Sequence, residues 1–170
     1  RLQDHSVIGH NYRMTDLQAA LLETQLSRLD EQHHKRNDNA SHLDNLLQEV
    51  EGLVPLARDE RLTHPAVYQY VLRYDASRFE DLPREAVVAA LNAEGIPCDG
   101  RFYECLTYSE LLPHDPARYP EWSAREQARC PNAERAAWDE AIWIPHQVLL
   151  DEAAEMIRLP EALEKIRRNA

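Results

Sequence analysis

Residues 9–30 read GHNYRMTDLQAALLETQLSRLD, and the fold turns on what begins there. Thr15 with Gln18 three positions on is the signature of a capping box, the reciprocal bonding that opens a helix. From Asp16 onward Leu17, Leu21 and Leu29 recur at near-helical spacing, and Leu43, Leu46, Leu47 and Val50 resume the stripe. No Gly or Pro interrupts before Gly52. The pattern predicts one unusually long helix of about 30 residues, against a usual length of about 11–12. Its middle, DEQHHKRNDNASH at 30–42, is strongly polar and is expected to run over the surface or to bridge two domains.

Gly9, Asn11 and Arg13 lead into that helix. A helix start carries unsatisfied N–H groups and the positive end of the dipole, which together attract anions. Gly9 permits a close turn, the Asn11 amide can donate two hydrogen bonds, and Arg13 offers a planar fork suited to phosphate or carboxylate. Asp16 in the first turn already supplies a negative charge there. A loop glycine, an Asx turn and a surface arginine are the plainer alternative.

Downstream, Gly52 and Pro55 end the helix. VYQYVLRYD at 67–75 has the β-branched and aromatic content of a strand. PREAVVAALNAEG at 83–95 is a compact helix, with Pro83 early and Gly95 just past the last turn. IPCDGRFYE at 96–104 is a second strand or an extended segment. PNAERAAWDEA is a helix that enters the short apolar strand AIWIP at 141–145. The last twenty residues are helical in pattern, with Pro160 opening a new turn or kinking the run. The expected fold is α+β: a short sheet with helices packed on one face.

The 170 residues are 44% hydrophobic, enough for a core. Lys and Arg number 19 and Asp and Glu 30, so the net charge is 19 − 30 = −11. An acidic surface repels phosphates, so nucleic acid and anionic membranes are not expected partners, although one local anion site remains possible. No apolar run approaches the roughly 20 residues that span a bilayer. The chain opens at Arg1 rather than Met, as a piece of a longer polypeptide would. Cys98, Cys105 and Cys130 are odd in number and lack C-x-x-C spacing, which suits unlinked thiols in a reducing cytoplasm. His33 and His34 are adjacent and point apart on a helix. His34 and His42 could share a face, but nothing supplies a third ligand, so no metal is expected. The acidic pairs Asp30–Glu31 and Asp139–Glu140 are surface charge.

The opening stretch resembles the hallmark segment of the DegT/StrS family of pyridoxal-phosphate-dependent aminotransferases. That hallmark is G-x-N-x-R-M followed by AA and by QL…LD, matched here by Gly9, Asn11, Arg13, Met14, Ala19, Ala20, Gln25, Leu26, Leu29 and Asp30. AEGIPCDGRFYECL at 93–106 is similar to the family's GIP…YEPL phrase, and WIPH at 143–146 continues the match.

The resemblance implies the C-terminal portion of a fold-type-I enzyme acting on a keto-sugar or cyclic keto compound, with an amino donor such as glutamate or glutamine. Residues 1–15 would be the tail of the large cofactor domain, 16–50 a long interdomain helix, and 51–170 the small α+β domain. Asn11 would contact the cofactor phosphate of the neighbouring subunit in a homodimer. Arg13 would support that region or meet a carboxylate. Tyr103 and His146 match positions near the substrate opening; a core aromatic and a capping histidine are their plainer roles. The family's covalent lysine lies upstream of the motif. Lys35 and Lys165 are the lysines of this chain, neither matches that position, and no catalytic residue is expected here. A non-catalytic dimerisation or binding module derived from such an enzyme is the alternative. Cys105 stands where the family often has Pro, which frees a backbone N–H and loosens the local φ angle.

Overall fold

The computed structural model describes residues 13–59, 61–101, 103–108 and 130–170. The capping box forms as its residues predict. Gln18 N donates to Thr15 Oγ1 at 3.3 Å, and Thr15 N donates to Gln18 Oε1 at 2.9 Å. It opens helix α1, Asp16–Leu26.

The single long helix is not what forms. The chain breaks at Ser27–Arg28 and restarts as α2, Leu29–Leu46, which tightens into a 3₁₀ turn over 47–49. The cause is local. Ser27 Oγ donates to Thr24 O at 2.9 Å, and Arg28 N bonds to Gln25 O at 3.2 Å. Side-chain hydroxyls that bond carbonyls of the preceding turn compete with the helical ladder. The polar middle is also only partly on the surface, since Asn39, Ala40 and Leu43 of α2 are buried. α1 buries nothing, and Leu17, Leu21, Leu22 and Leu26 stand exposed along it.

Three antiparallel strands lie in the order β1 (Leu53–Pro55), β2 (Gln69–Tyr74), β3 (Ala141–Pro145). β1 carries no periodic signal of its own: it is three residues long and ends in the edge-strand residue Pro55. Gly52 turns the chain into it at φ +85, where an added Cβ would lie 2.6 Å from Arg78 Cβ. The segment at 96–104 adds a single bridge, with Asp99 N and Trp143 N each donating to the other's carbonyl.

Alternation along the strands sorts the two faces. Tyr70 opposite Ile144 and Leu72 opposite Ile142 point into the core, while Val71 opposite Trp143 points the other way. Onto the core face pack Ala40, Leu43 and Leu47, then Val87 and Leu91 of α3 (Arg84–Ala93). Leu159, Leu163 and Ile166 of the last helix complete it. Gly95 ends α3 at φ +81, as its position predicts.

α4 (Pro131–Arg135) widens into a π turn at 136–140 that feeds β3. Buried Arg84 secures that turn, donating to Ala137 O at 3.0 Å and Ala141 O at 3.3 Å. After a 3₁₀ turn at 153–157 comes α5 (Arg158–Arg168). Pro160 falls in its first turn, where a missing N–H costs nothing.

Candidate active-site edge

Tyr103 and His146 come from distant stretches of chain and meet through Tyr68. Tyr68 precedes β2 and His146 follows β3, so the antiparallel pairing of Gln69 with Pro145 brings them to the same end of the sheet. Their rings stack with centroids 6.5 Å apart and planes 28° apart. Tyr103 hydrogen-bonds to Tyr68 and sets its ring edge-on against Trp143, centroids 5.6 Å apart. Burial and the Tyr68 contact push the Tyr103 phenol up. Tyr103 is exposed and so is not a core aromatic, and His146 is half-buried.

Burial, and then the nearby charge of Arg36, hold the His146 imidazole below its ordinary range, so the neutral ring dominates near pH 7. His146 Nδ1 is buried without a partner. On the neighbouring turn of α2, Asn37 Nδ2 bonds to His33 Nε2 at 3.0 Å, and His33 lies 6.4 Å from the His64 ring. Among the described residues no group of three or more His, Cys, Asp or Glu side chains is placed to hold a metal.

Arg13 stands just ahead of α1, exposed, at φ +68, a left-handed conformation rare for a side-chain-bearing residue. Asn11 lies outside the described residues. The lysines are both engaged at the surface. Lys35 pairs with Glu152 at 2.9 Å and Lys165 with Glu94 at 2.6 Å. Both lysine amines are thus occupied in ion pairs.

The position that departs from the family's Pro is put to use. Cys105 N donates to Glu104 Oε1 at 3.2 Å, a bond Pro could not make. Glu104 also accepts from Trp138 Nε1 and pairs with Arg101 at 2.5 Å. Burial opposes its charge, but these three donors prevail and hold its carboxyl low. The three cysteines are unlinked, and burial pushes the Cys98 thiol up to about 11.

Tyr68 and Arg36 escaped the sequence pattern. Tyr68 reads as one more aromatic of a strand, and Arg36 as one more charge of a polar helix. Neither residue carries a local signal, because each acquires its role from a partner far along the chain.

The sequence profile of the DegT/DnrJ/EryC1/StrS aminotransferase family matches residues 1–159, and the chain belongs to that family. It is 36% identical over 171 residues to a Micromonospora echinospora protein assigned as an L-glutamine:3-amino-2,3-dideoxy-scyllo-inosose aminotransferase. That match covers 96% of this chain and 41% of the relative. Against the L-glutamine:2-deoxy-scyllo-inosose aminotransferase of Streptomyces fradiae it is 33% identical over 170 residues, covering 96% of this chain and 40% of the relative. The crystal structure of 3-amino-5-hydroxybenzoic acid synthase superposes with a TM-score of 0.73 at 27% identity, covering 98% of this chain and 42% of that one. The chain spans about two fifths of the length of these relatives. Among the described residues no helix is long and apolar enough to cross a membrane.

Proposed function

We propose that this chain is the C-terminal part of a cytoplasmic, homodimeric, pyridoxal-phosphate-dependent aminotransferase. The enzyme moves an amino group from a donor such as glutamine or glutamate to a keto-sugar or cyclic keto compound. Residues 1–15 close the cofactor domain, 16–50 form the interdomain helical segment, and 51–170 form the small domain. The observation that carries the proposal is the meeting of Tyr103 and His146, drawn from two separate motif phrases, around Tyr68. The apolar side of α1 adds support, since Leu17, Leu21 and Leu26 are placed for another domain or subunit to cover.

Asn11 and Arg13 hold the cofactor phosphate across the subunit interface. Tyr103 presents a hydroxyl to the ring substrate, and His146 presents a neutral imidazole that can donate or accept a hydrogen bond. The cofactor, when bound, supplies an electron sink at the substrate carbon. Its covalent lysine comes from outside this chain. The ion-paired lysines favour a second reading of the chain by itself, a non-catalytic dimerisation or binding module derived from such an enzyme.

One experiment separates the two. The chain alone, given pyridoxal phosphate, L-glutamine and 2-deoxy-scyllo-inosose, is expected to show no turnover. Joined behind the cofactor domain of the Streptomyces fradiae relative, it is expected to restore glutamine-dependent amination. A joined protein that folds and retains cofactor but transfers nothing, with either cyclitol or keto-sugar acceptors, would leave the binding-module reading standing.

A further inference from the structure

The chain around Tyr103 is fastened on both sides to β3 and to the turn before it. Upstream, Asp99 N donates to Trp143 O at 2.9 Å and Trp143 N to Asp99 O at 2.7 Å. Downstream, the Glu104 carboxylate accepts from the Trp138 indole N–H of the π turn at 136–140. Between them Gly100 lies against Arg84, where an added Cβ would stand 2.9 Å from Arg84 Nε. Arg84 is the same buried side chain that secures the π turn through Ala137 O and Ala141 O. The segment and the turn therefore share one support.

Glu104 is the point where these restraints converge. Its side chain is 18% exposed. Oε1 accepts from Trp138 Nε1 and from Cys105 N at 3.2 Å, and Oε2 pairs with Arg101 Nη2 at 2.5 Å. Bonds to an ionised acceptor are shorter and stronger than neutral ones. Trp138 is itself held: its ring packs against Tyr108, centroids 5.0 Å apart, and Tyr108 N donates back to Cys105 O at 2.9 Å. A π turn is a rare distortion that gathers at functional sites, and this one delivers the indole to Glu104. Tyr103, one residue earlier, is 40% exposed, with its ring edge-on to Trp143 and its hydroxyl bonded to Tyr68. A side chain that exposed takes its aim from the backbone beneath it and from the residues that lock that backbone.

We infer that Glu104 is a positioning residue that aims Tyr103 at the edge where Tyr68 and His146 meet, acting through its bond to Trp138. The substrate role of Tyr103 rests on the aminotransferase reading; its positioning by Glu104 does not.

Two measurements test this. The first follows the tyrosine ring signals of the isotope-labelled chain by NMR. Glu104→Ala and Trp138→Phe are each expected to shift the Tyr103 and Tyr68 signals while those of the core residues Tyr70 and Tyr74 stay in place. Glu104→Gln should shift them less, since its amide oxygen still accepts from the indole and from Cys105 N. Should Glu104→Ala lose the native amide spectrum, Trp138→Phe decides by the same signals. The second uses the joined protein. Trp138→Phe and Tyr103→Phe should each raise KM for 2-deoxy-scyllo-inosose about three- to tenfold, the scale of one neutral hydrogen bond, with kcat nearly unchanged. The double variant should lose no more than Tyr103→Phe alone, because both changes act through one hydroxyl. Unmoved Tyr103 signals, or losses that add in the double variant, would overturn the positioning role. A joined protein that transfers nothing would remove the substrate role of Tyr103 along with the aminotransferase reading, and the ring signals of the chain would still decide the positioning.

Discussion

The rings of Tyr68 and His146 lie near-parallel at one end of the sheet, centroids 6.5 Å and planes 28° apart. Burial and the Arg36 charge both disfavour the imidazolium. The folded state therefore binds this proton less readily than the unfolded chain does. The contribution to stability is complete above the ordinary histidine value near 6.5 and declines as pH falls through and below it. NMR titration should place the His146 midpoint below the ordinary histidine value. Arg36→Gln should raise the midpoint, and an unchanged midpoint in that variant would contradict the charge contribution.

Gly52 and Gly95 both sit at positive φ, yet substitution should cost differently. At Gly95 the nearest atom to an added Cβ is Arg158 Nη2 at 3.6 Å, so Gly95→Ala meets only the left-handed backbone penalty, about 1–2 kcal/mol. At Gly52 the added carbon would also strike Arg78 Cβ at 2.6 Å and Phe79 at 3.0 Å. Overpacking adds about 1–3 kcal/mol. Urea unfolding midpoints should therefore fall further for Gly52→Ala than for Gly95→Ala. The reverse order would refute the clash.

Leu43 and Leu17 are the same residue type in opposite settings. Leu43 is 1% exposed within the core, and Leu17 is 75% exposed on α1. Leu43→Ala should cost about 2–5 kcal/mol of stability, whereas Leu17→Ala should stay within about 0.5 kcal/mol in this chain. If α1 instead packs on a second copy, the thermal stability of the unsubstituted chain will be concentration-dependent and Leu17→Ala will weaken that dependence, which size-exclusion chromatography can confirm.

Restoring the family's Pro at position 105 should harm this chain. Cys105→Pro removes the N–H that donates to Glu104 Oε1, leaving a carboxylate that also serves Trp138 and Arg101 one donor short. A loss of about 1–3 kcal/mol is expected, the range for a bond to a charged group. Cys105→Ala keeps the N–H and should cost less. Chemical denaturation of the two variants side by side decides the matter.

Local rules were enough for much of this fold. The capping box at Thr15 and Gln18, the strands at 69–74 and 141–145, and the glycine that ends α3 each depend on a few neighbouring residues. Their energetics are short-ranged, so the amino-acid sequence alone determined them. The motif phrases likewise pointed to Tyr103 and His146. Tertiary structure decided the rest. It drew Leu53–Pro55 into the sheet, because a three-residue strand exists only through its partner β2. And it brought Tyr68, Tyr103 and His146 together at one end of the sheet, through the pairing of β2 with β3 and the setting of Tyr103 against Trp143. Such convergence is a property of chain packing, and no window of neighbouring residues contains it.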